Sequence, residues 1–468
     1  MKSLRRRPFL GRIRNVHMVG IGGIGMSGIA EVLLNSGFEV TGSDLSRSEV
    51  TDRLATLGAT IFEGHSEGNV GAADVVVYSS AVKPVENPET QEAERHRIPI
   101  IPRAVMLGEL MRVKYGIGIA GTHGKTTTTS MTGLVVTEGG FDPTIIVGGK
   151  VTVFGSNAVV GEGDIIVIEA DEYDRTFLRL TPSLAVVTNI EADHLDTYRD
   201  LEDITGAFVQ YANAVPFFGA AILCLDDPQV QEIVTSVDRR VVTYGMSRQA
   251  EIRAENVEQI GLTTRFNVVH GTSQLGPIEL QLPGLHNVRN ALASIAVGIE
   301  LEIDFPLIQS ALSKFSGVQR RFQRIGEAKD VLVIDDYAHH PTEIAATLQA
   351  ASNGFPDRRI VAVFQPHLYS RTRDFKNEFA RVFFNADVLV LMDIYAAREE
   401  PIPGIDGHLL VDLALRYGHR DVHYVADKES LPEFIAGLTR PGDVVLTMGA
   451  GDIYRYAPRI IEMLEAGA

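Results

Sequence analysis

The sequence predicts an α/β fold of three domains, the first and last Rossmann-like and the middle one P-loop-like with a small antiparallel sheet. Three observations predict it. The 468 residues are too many for one ordinary core, since single cores stop growing at roughly 250 to 300 residues. Short apolar strands alternate with amphipathic helical stretches in three successive blocks, the pattern of parallel sheets. The first two blocks each carry a glycine-rich turn between a strand and a helix, at Gly20–Gly25 and Gly121–Thr126.

From Asn15 to about Arg112, strands are predicted at Val16–Ile21, Glu39–Gly42 and Asp74–Ser79, with a helix at Met26–Asn35. A second alternation gives strands at Gly116–Ala120, Ile165–Ile168 and Leu184–Thr188. Between Glu251 and Leu282 the period becomes two, as in Thr264–Val268 and Ile278–Leu282. This reads as a small, half-exposed antiparallel sheet appended to the middle domain, with a turn at Gly276-Pro277. The third alternation places strands at Val331–Ile334, Ile360–Phe364, Val388–Met392 and Val444–Met448. Boundaries fall near Arg112–Gly116 and Phe315–Gln319, so the expected domains are residues 1–114, 115–318 and 319–468.

Composition narrows the class. With 45% hydrophobic and 22% charged residues, and no apolar run of the roughly 20 residues a bilayer span needs, no membrane segment is expected. The basic arm containing Arg5, Arg6, Arg7, Arg12 and Arg14 lacks the apolar stretch of a secretory signal, so a cytoplasmic protein is expected. A single cysteine, Cys224, excludes an intramolecular disulfide and reads as a buried thiol. The net charge of −17 opposes binding to nucleic acid or anionic lipid, so any phosphate must be held locally. The oligomeric state is not encoded in any of these features.

Gly121-Thr122-His123-Gly124-Lys125-Thr126, followed by Thr127, joins a strand to a helix. Glycines let such a turn aim several backbone N–H groups at one oxyanion, and the helix N-terminus adds partial positive charge. Lys125 is then placed for β- and γ-phosphates and the Thr126 hydroxyl for Mg²⁺, so a nucleoside triphosphate is the expected ligand and the domain reads as P-loop ATPase-like. Ile119 stands where the full motif has its first glycine.

Two further strands of this block end in acids: Glu169-Ala170-Asp171-Glu172, and Asn189-Ile190-Glu191-Ala192-Asp193-His194. Ligands of open α/β sheets sit beyond strand carboxyl ends, and carboxylates suit Mg²⁺. Glu169 is the expected metal ligand, and His194 points to a second metal.

Gly20, Gly22, Gly23 and Gly25 form a dinucleotide-type fingerprint, with Asp44 at the end of the next strand positioned for a ribose diol. The same physics serves NAD or a UDP-sugar, and the motif does not choose between them. Ser79 and Ser80, at another strand end, are candidates for the same ligand.

Other constellations stay open on residues alone. His286, Asn287 and Asn290 precede or open an apolar helix, and Asn287 could simply cap it. Arg320 and Arg321 are either a solvated hinge or a phosphate clamp. His340 and Glu343 have a metal-ligand spacing on a helix but read as structural, because no third ligand is evident. Arg371 and Arg373, in Gln365–Arg373, either receive a substrate carboxylate or lie in a solvated basic loop.

Taken in order, GTHGKTTTT, EADE, TNIEADHLDTY, GLHNVRNA, QRRF, DDYAHHPTE and FQPHLYSRTRD resemble the Mur ligases over essentially the whole chain. Several of these segments are characteristic of the branch that adds L-alanine. The resemblance implies ATP-dependent amide formation in peptidoglycan precursor synthesis, with UDP-N-acetylmuramate in the first domain, ATP and Mg²⁺ in the second and the amino acid in the third. By position it implies that Lys125 holds the γ-phosphate, Thr126 and Glu169 one Mg²⁺, and His194 a second metal. It further implies that His286, Asn287 and Asn290 meet adenosine, Arg321 phosphate and Asp336 the ATP ribose, and that Tyr337, His339 and Arg371 receive the amino acid. Two departures stand out. No lysine occurs in Tyr198–Phe217, where many relatives carry a modified one, and Leu368 occupies a position often held by arginine.

Overall fold

A computed structural model describes residues 10–151, 156–192, 197–397 and 399–466. The chain divides into two compact units: residues 1–255, 267–276 and 289–315, and residues 256–266, 277–288 and 316–468.

The first sheet has five parallel strands in the order β3-β2-β1-β4-β5. These are β1 (Asn15–Val19), β2 (Glu39–Asp44), β3 (Thr60–Glu63), β4 (Val75–Tyr78) and β5 (Ile100–Pro102). Val16, Met18, Val40, Val75 and Val77 are buried on this sheet, as near-continuous apolar strands of a parallel sheet require. The reading in sequence missed β3 and β5, which are only half-buried and carry little apolar signal.

The second sheet has ten strands in the order β15-β14-β13-β12-β11-β10-β6-β9-β7-β8. They are β6 (Tyr115–Ala120), β7 (Thr144–Val151), β8 (Ser156–Val159), β9 (Ile165–Glu169), β10 (Leu184–Val187), β11 (Ala220–Cys224), β12 (Val241–Gly245), β13 (Ile252–Ile260), β14 (Thr263–His270) and β15 (Ser273–Leu280). Strand β6 lies between β10 and β9, parallel to both, so three strand ends converge where the phosphate loop begins.

The expected appended sheet is instead the continuation of this one. The turn expected at Gly276-Pro277 is also corrected: both residues lie inside β15, and the turns fall at Gly261 (φ 58°) and Gly271 (φ 59°). Pro277 is tolerated because β15 is an edge strand, where a missing N–H breaks no ladder on the outer side.

The third sheet has the order β16-β17-β21-β18-β19-β20. Its members are β16 (Gln323–Ala328), β17 (Val331–Asp336), β18 (Ile360–Phe364), β19 (Val388–Met392), β20 (Val422–Val425) and β21 (Val444–Met448). Only β16, at an edge, runs antiparallel to its neighbour. No helix among the described residues is long and apolar enough to cross a membrane. Cys224 is buried at the end of β11, and burial pushes its thiol up to about 11.

Candidate functional site

The phosphate loop follows β6 directly and opens the helix Lys125–Glu138. Gly121 (φ 140°) and Gly124 (φ 81°) adopt backbone geometry that side chains resist. A β-carbon at Gly121 would also collide with the Thr188 hydroxyl, and one at Gly124 would lie 2.6 Å from Asn290 Oδ1.

The loop's shape is held by the segment after β10. His123 N–H donates to Asn189 Oδ1 at 2.8 Å, the Thr188 hydroxyl donates to His123 O at 2.7 Å, and Glu191 N–H donates to Thr122 Oγ1 at 2.8 Å. Thr127 is buried in the helix's first turn.

The acid segment after β9 faces the same loop. The Thr126 hydroxyl donates to Glu169 Oε1 at 2.9 Å, and Gly148 N–H donates to Glu169 Oε2 at 2.5 Å. Lys125 does not point into an open cradle: its ammonium donates to Gly121 O and lies 2.7 Å from Glu172 Oε2. Burial alone would lower the Lys125 ammonium's pKa, but Glu172 and Asp171 outweigh it and hold it above its ordinary value. Burial raises the Glu169 carboxyl, against the pull of Gly148, Lys125 and Thr126. Glu169, Asp171 and Glu172 thus face one lysine, a surplus of hard oxygen donors that suits a Mg²⁺ ion. Sequence reasoning placed Glu169 but not the Lys125–Glu172 pair. The cluster of three acids in Glu169–Glu172 was the available signal, and loop spacing does not say which acid turns inward. His194 lies outside the described residues.

Asn290 reaches the loop, accepting from the Thr128 hydroxyl at 3.1 Å, so it braces the first turn of the phosphate-loop helix. Asn287 is not a cap. The helix Leu285–Glu300 begins two residues earlier, and the Asn287 amide donates back to Pro283 O at 2.7 Å. His286 packs against Gly284, one residue before that helix.

In the first sheet, Gly20–Gly25 turns from β1 into the helix Ile24–Asn35 as expected. Asp44 ends β2 and accepts from Gly22 N–H at 2.8 Å, which ties the acid to the fingerprint turn. Gly23 closes that turn, donating its N–H to Gly20 O. Ser79 lies against Gly20, and Ser80 borders a cavity beside it.

The second unit holds the remaining candidates. Neither arginine of the Gln319–Phe322 segment is a solvated hinge. The Arg320 guanidinium lies 4.4 Å from the Tyr454 ring centre and 3.2 Å from Asp335, and Arg321 pairs with Glu343 at 3.2 Å. Asp336 ends β17 and accepts from Phe322 N–H and Ala338 N–H, both at 2.7 Å; burial raises its carboxyl to about 6. His340 caps the helix Pro341–Gly354, its Nδ1 accepting from Thr342 N–H at 3.4 Å, while Glu343 accepts from His339 N–H and pairs with Arg321.

Tyr337 and His339 stand ring against ring at 5.2 Å, and His339 lies 6.0 Å from His367. Arg371 Nη1 donates to His367 Nδ1 at 3.3 Å. Burial, then His339 and Arg371, lower the His367 imidazole to about 4, so it is neutral at ordinary pH. Arg373 turns away and pairs with exposed Asp374. Leu368 has φ 71°, a strained value for a leucine, beside these groups.

Three family models match the chain in succession. Residues 15–115 match the Mur ligase family catalytic domain, 119–298 the Mur ligase middle domain and 320–451 the Mur ligase glutamate ligase domain. The UDP-N-acetylmuramate–L-alanine ligase of Salinibacter ruber is 68% identical over 465 residues, covering 99% of this chain and 98% of that protein. Among solved structures, the UDP-N-acetylmuramate-alanine ligase of Thermotoga maritima is similar with a TM-score of 0.81 at 30% identity, covering 98% of this chain and all of that one. A murein peptide ligase from Psychrobacter arcticus gives a TM-score of 0.69 at 26% identity, covering 97% and 99%. The chain belongs to the Mur ligase family.

Proposed function

From this family membership we infer that the chain is an ATP-dependent ligase that joins L-alanine to the carboxylate of UDP-N-acetylmuramate in peptidoglycan precursor synthesis. The observation that carries it is the near full-length identity to L-alanine-adding relatives. We further propose the cytoplasm as its compartment, since ATP is the phosphoryl donor.

A carboxylate resists amine attack because oxide is an impossible leaving group. Transfer of the γ-phosphoryl group of ATP to that carboxylate makes phosphate the leaving group. The amine of L-alanine then attacks the acyl phosphate, giving the amide, ADP and phosphate. In this reading the backbone amides of Gly121–Thr126 cradle the triphosphate, and Lys125 leaves Glu172 to reach its γ-phosphate. Thr126 and Glu169 would hold Mg²⁺, whose charge offsets that of the phosphate oxygens. His194 is proposed, on its place in the sequence, for a second metal. Asp44, Ser79, Ser80 and the glycine fingerprint serve the sugar nucleotide. His286, Asn287 and Asn290 serve adenosine, Arg321 phosphate, and Asp336 the ribose. Arg371, flanked by Tyr337 and His339, grips the alanine carboxylate, since guanidinium gives a two-point hold and leaves the amine free.

Phosphate release with ATP, Mg²⁺ and UDP-N-acetylmuramate, measured with L-alanine, glycine, L-serine or a free tripeptide in turn, tests the assignment. L-alanine should give the highest kcat/KM. Release supported by the tripeptide and not by L-alanine would replace this reading with that of a tripeptide-adding ligase.

A further inference from the structure

Arg371 stands on a short and strained piece of backbone. It belongs to the helix Tyr369–Asp374, which Leu368 enters at φ 71°, a conformation that a leucine holds only where its surroundings impose it. Two hydrogen bonds fix Leu368: its N–H donates to Tyr395 O at 3.0 Å, and its carbonyl accepts from the buried Thr372 hydroxyl at 2.8 Å. Tyr395 in turn donates its N–H to Pro366 O at 2.8 Å and lays its ring nearly parallel to that of His367, with 5.8 Å between centres.

A helix of six residues is not stable on its own, and its first N–H groups need acceptors from elsewhere. Ser370 finds one 29 residues along the chain. Its N–H donates to Glu399 Oε2 at 2.9 Å, and its hydroxyl donates to Glu399 Oε1. One carboxylate thus takes both donors of the residue beside Arg371, and bonds to an ionised acceptor are the strong kind.

Resting on the reading that Arg371 receives the carboxylate of L-alanine, we propose that Glu399 is a positioning residue of the amino-acid site, which through Ser370 fixes the turn that aims Arg371. Tyr395 supports the same turn from Leu368. The charge of Glu399 works the other way: the acid is close enough to act on the His367 imidazole, and a negative charge there opposes a carboxylate ligand. Removing Glu399 therefore strengthens alanine binding if charge dominates and weakens it if positioning dominates, so the sign of the effect separates the two.

Steady-state kinetics of the full-length chain with ATP, Mg²⁺, UDP-N-acetylmuramate and L-alanine test this. Glu399→Ala should raise the KM for L-alanine on the order of 10-fold, as expected when a substrate grip is misplaced. The KM for ATP should stay within about twofold of wild type. Glu399→Gln, whose amide can accept from Ser370 N–H and donate to its hydroxyl oxygen, should recover most of the loss. In an Arg371→Ala background, Glu399→Ala should add nothing, because in this account it acts through that guanidinium. An alanine KM in Glu399→Ala that is unchanged or lower, the same rise with and without Arg371, or an equal rise in the KM for ATP would each overturn the assignment. If Arg371→Ala raises the alanine KM and Glu399→Ala does not, the proposal alone falls. A wild-type chain that forms no amide with L-alanine removes the ligase reading and the proposal with it.

Discussion

Lys125 Nζ lies 2.7 Å from Glu172 Oε2, joining the first residue of the phosphate-loop helix to a fully buried acid beyond β9. The proposed γ-phosphate contact therefore requires Lys125 to exchange Glu172 for phosphate. Removing the lysine should abolish phosphoryl transfer without disturbing the first sheet. Lys125→Ala is expected to lower kcat on the order of 100-fold or more, with UDP-N-acetylmuramate affinity within about twofold of wild type. Calorimetry showing equal loss for the sugar nucleotide would refute this division of labour.

Gly124 offers a second, purely steric test. At φ 81° and with Asn290 Oδ1 2.6 Å from the place of a β-carbon, alanine there must strain the loop or expel Asn290. Gly124→Ala should cost ATP affinity about five- to 150-fold, the equivalent of the roughly 1 to 3 kcal/mol of a strained backbone. Measured against Asn290→Ala alone, which itself gives up a proposed adenosine contact, adding Gly124→Ala should show only the part of the loss due to φ. No further loss in the double variant would show that φ costs nothing.

The buried Glu89 sets a pH limit on the first unit. Burial raises its carboxyl, but His17, Ser43 and Asn69 more than offset that and lower it from 4.5 to about 2. A carboxylate depressed on folding adds stability that is complete above its unfolded value and fades as pH falls through the folded one. Unfolding followed by circular dichroism should show stability lost between about pH 4.5 and pH 2, and Glu89→Gln should flatten that slope. An unchanged slope in the variant would place the acid sensitivity elsewhere.

Much of this site was legible in the sequence. Gly-Lys-Thr after an apolar strand admits few alternatives, and Asp44 falls where the fingerprint needs an acid. The Glu89 cluster was not legible: in Pro88-Glu89-Thr90 the acid reads as a helix surface residue, and only the fold brings His17 to 3.6 Å from it. The Gly276-Pro277 turn failed because edge position is a property of sheet order and not of local composition.

Arg371 tests the third sheet. His367, neutral at ordinary pH, accepts from Arg371 and so orients its guanidinium without adding a second positive charge. Arg371→Ala should raise the KM for L-alanine strongly and that for ATP little. Discrimination against glycine rests on one methyl group, roughly 1 to 3 kcal/mol, so it should be modest even in the wild type. A normal alanine KM in the variant would place the amino acid elsewhere.

The most direct test of carboxylate activation follows oxygen. UDP-N-acetylmuramate labelled with ¹⁸O in its lactyl carboxylate is turned over with ATP and L-alanine, and the released phosphate is analysed by mass spectrometry. An acyl phosphate intermediate predicts one labelled oxygen in each phosphate released. Unlabelled phosphate accompanying amide formation would contradict it.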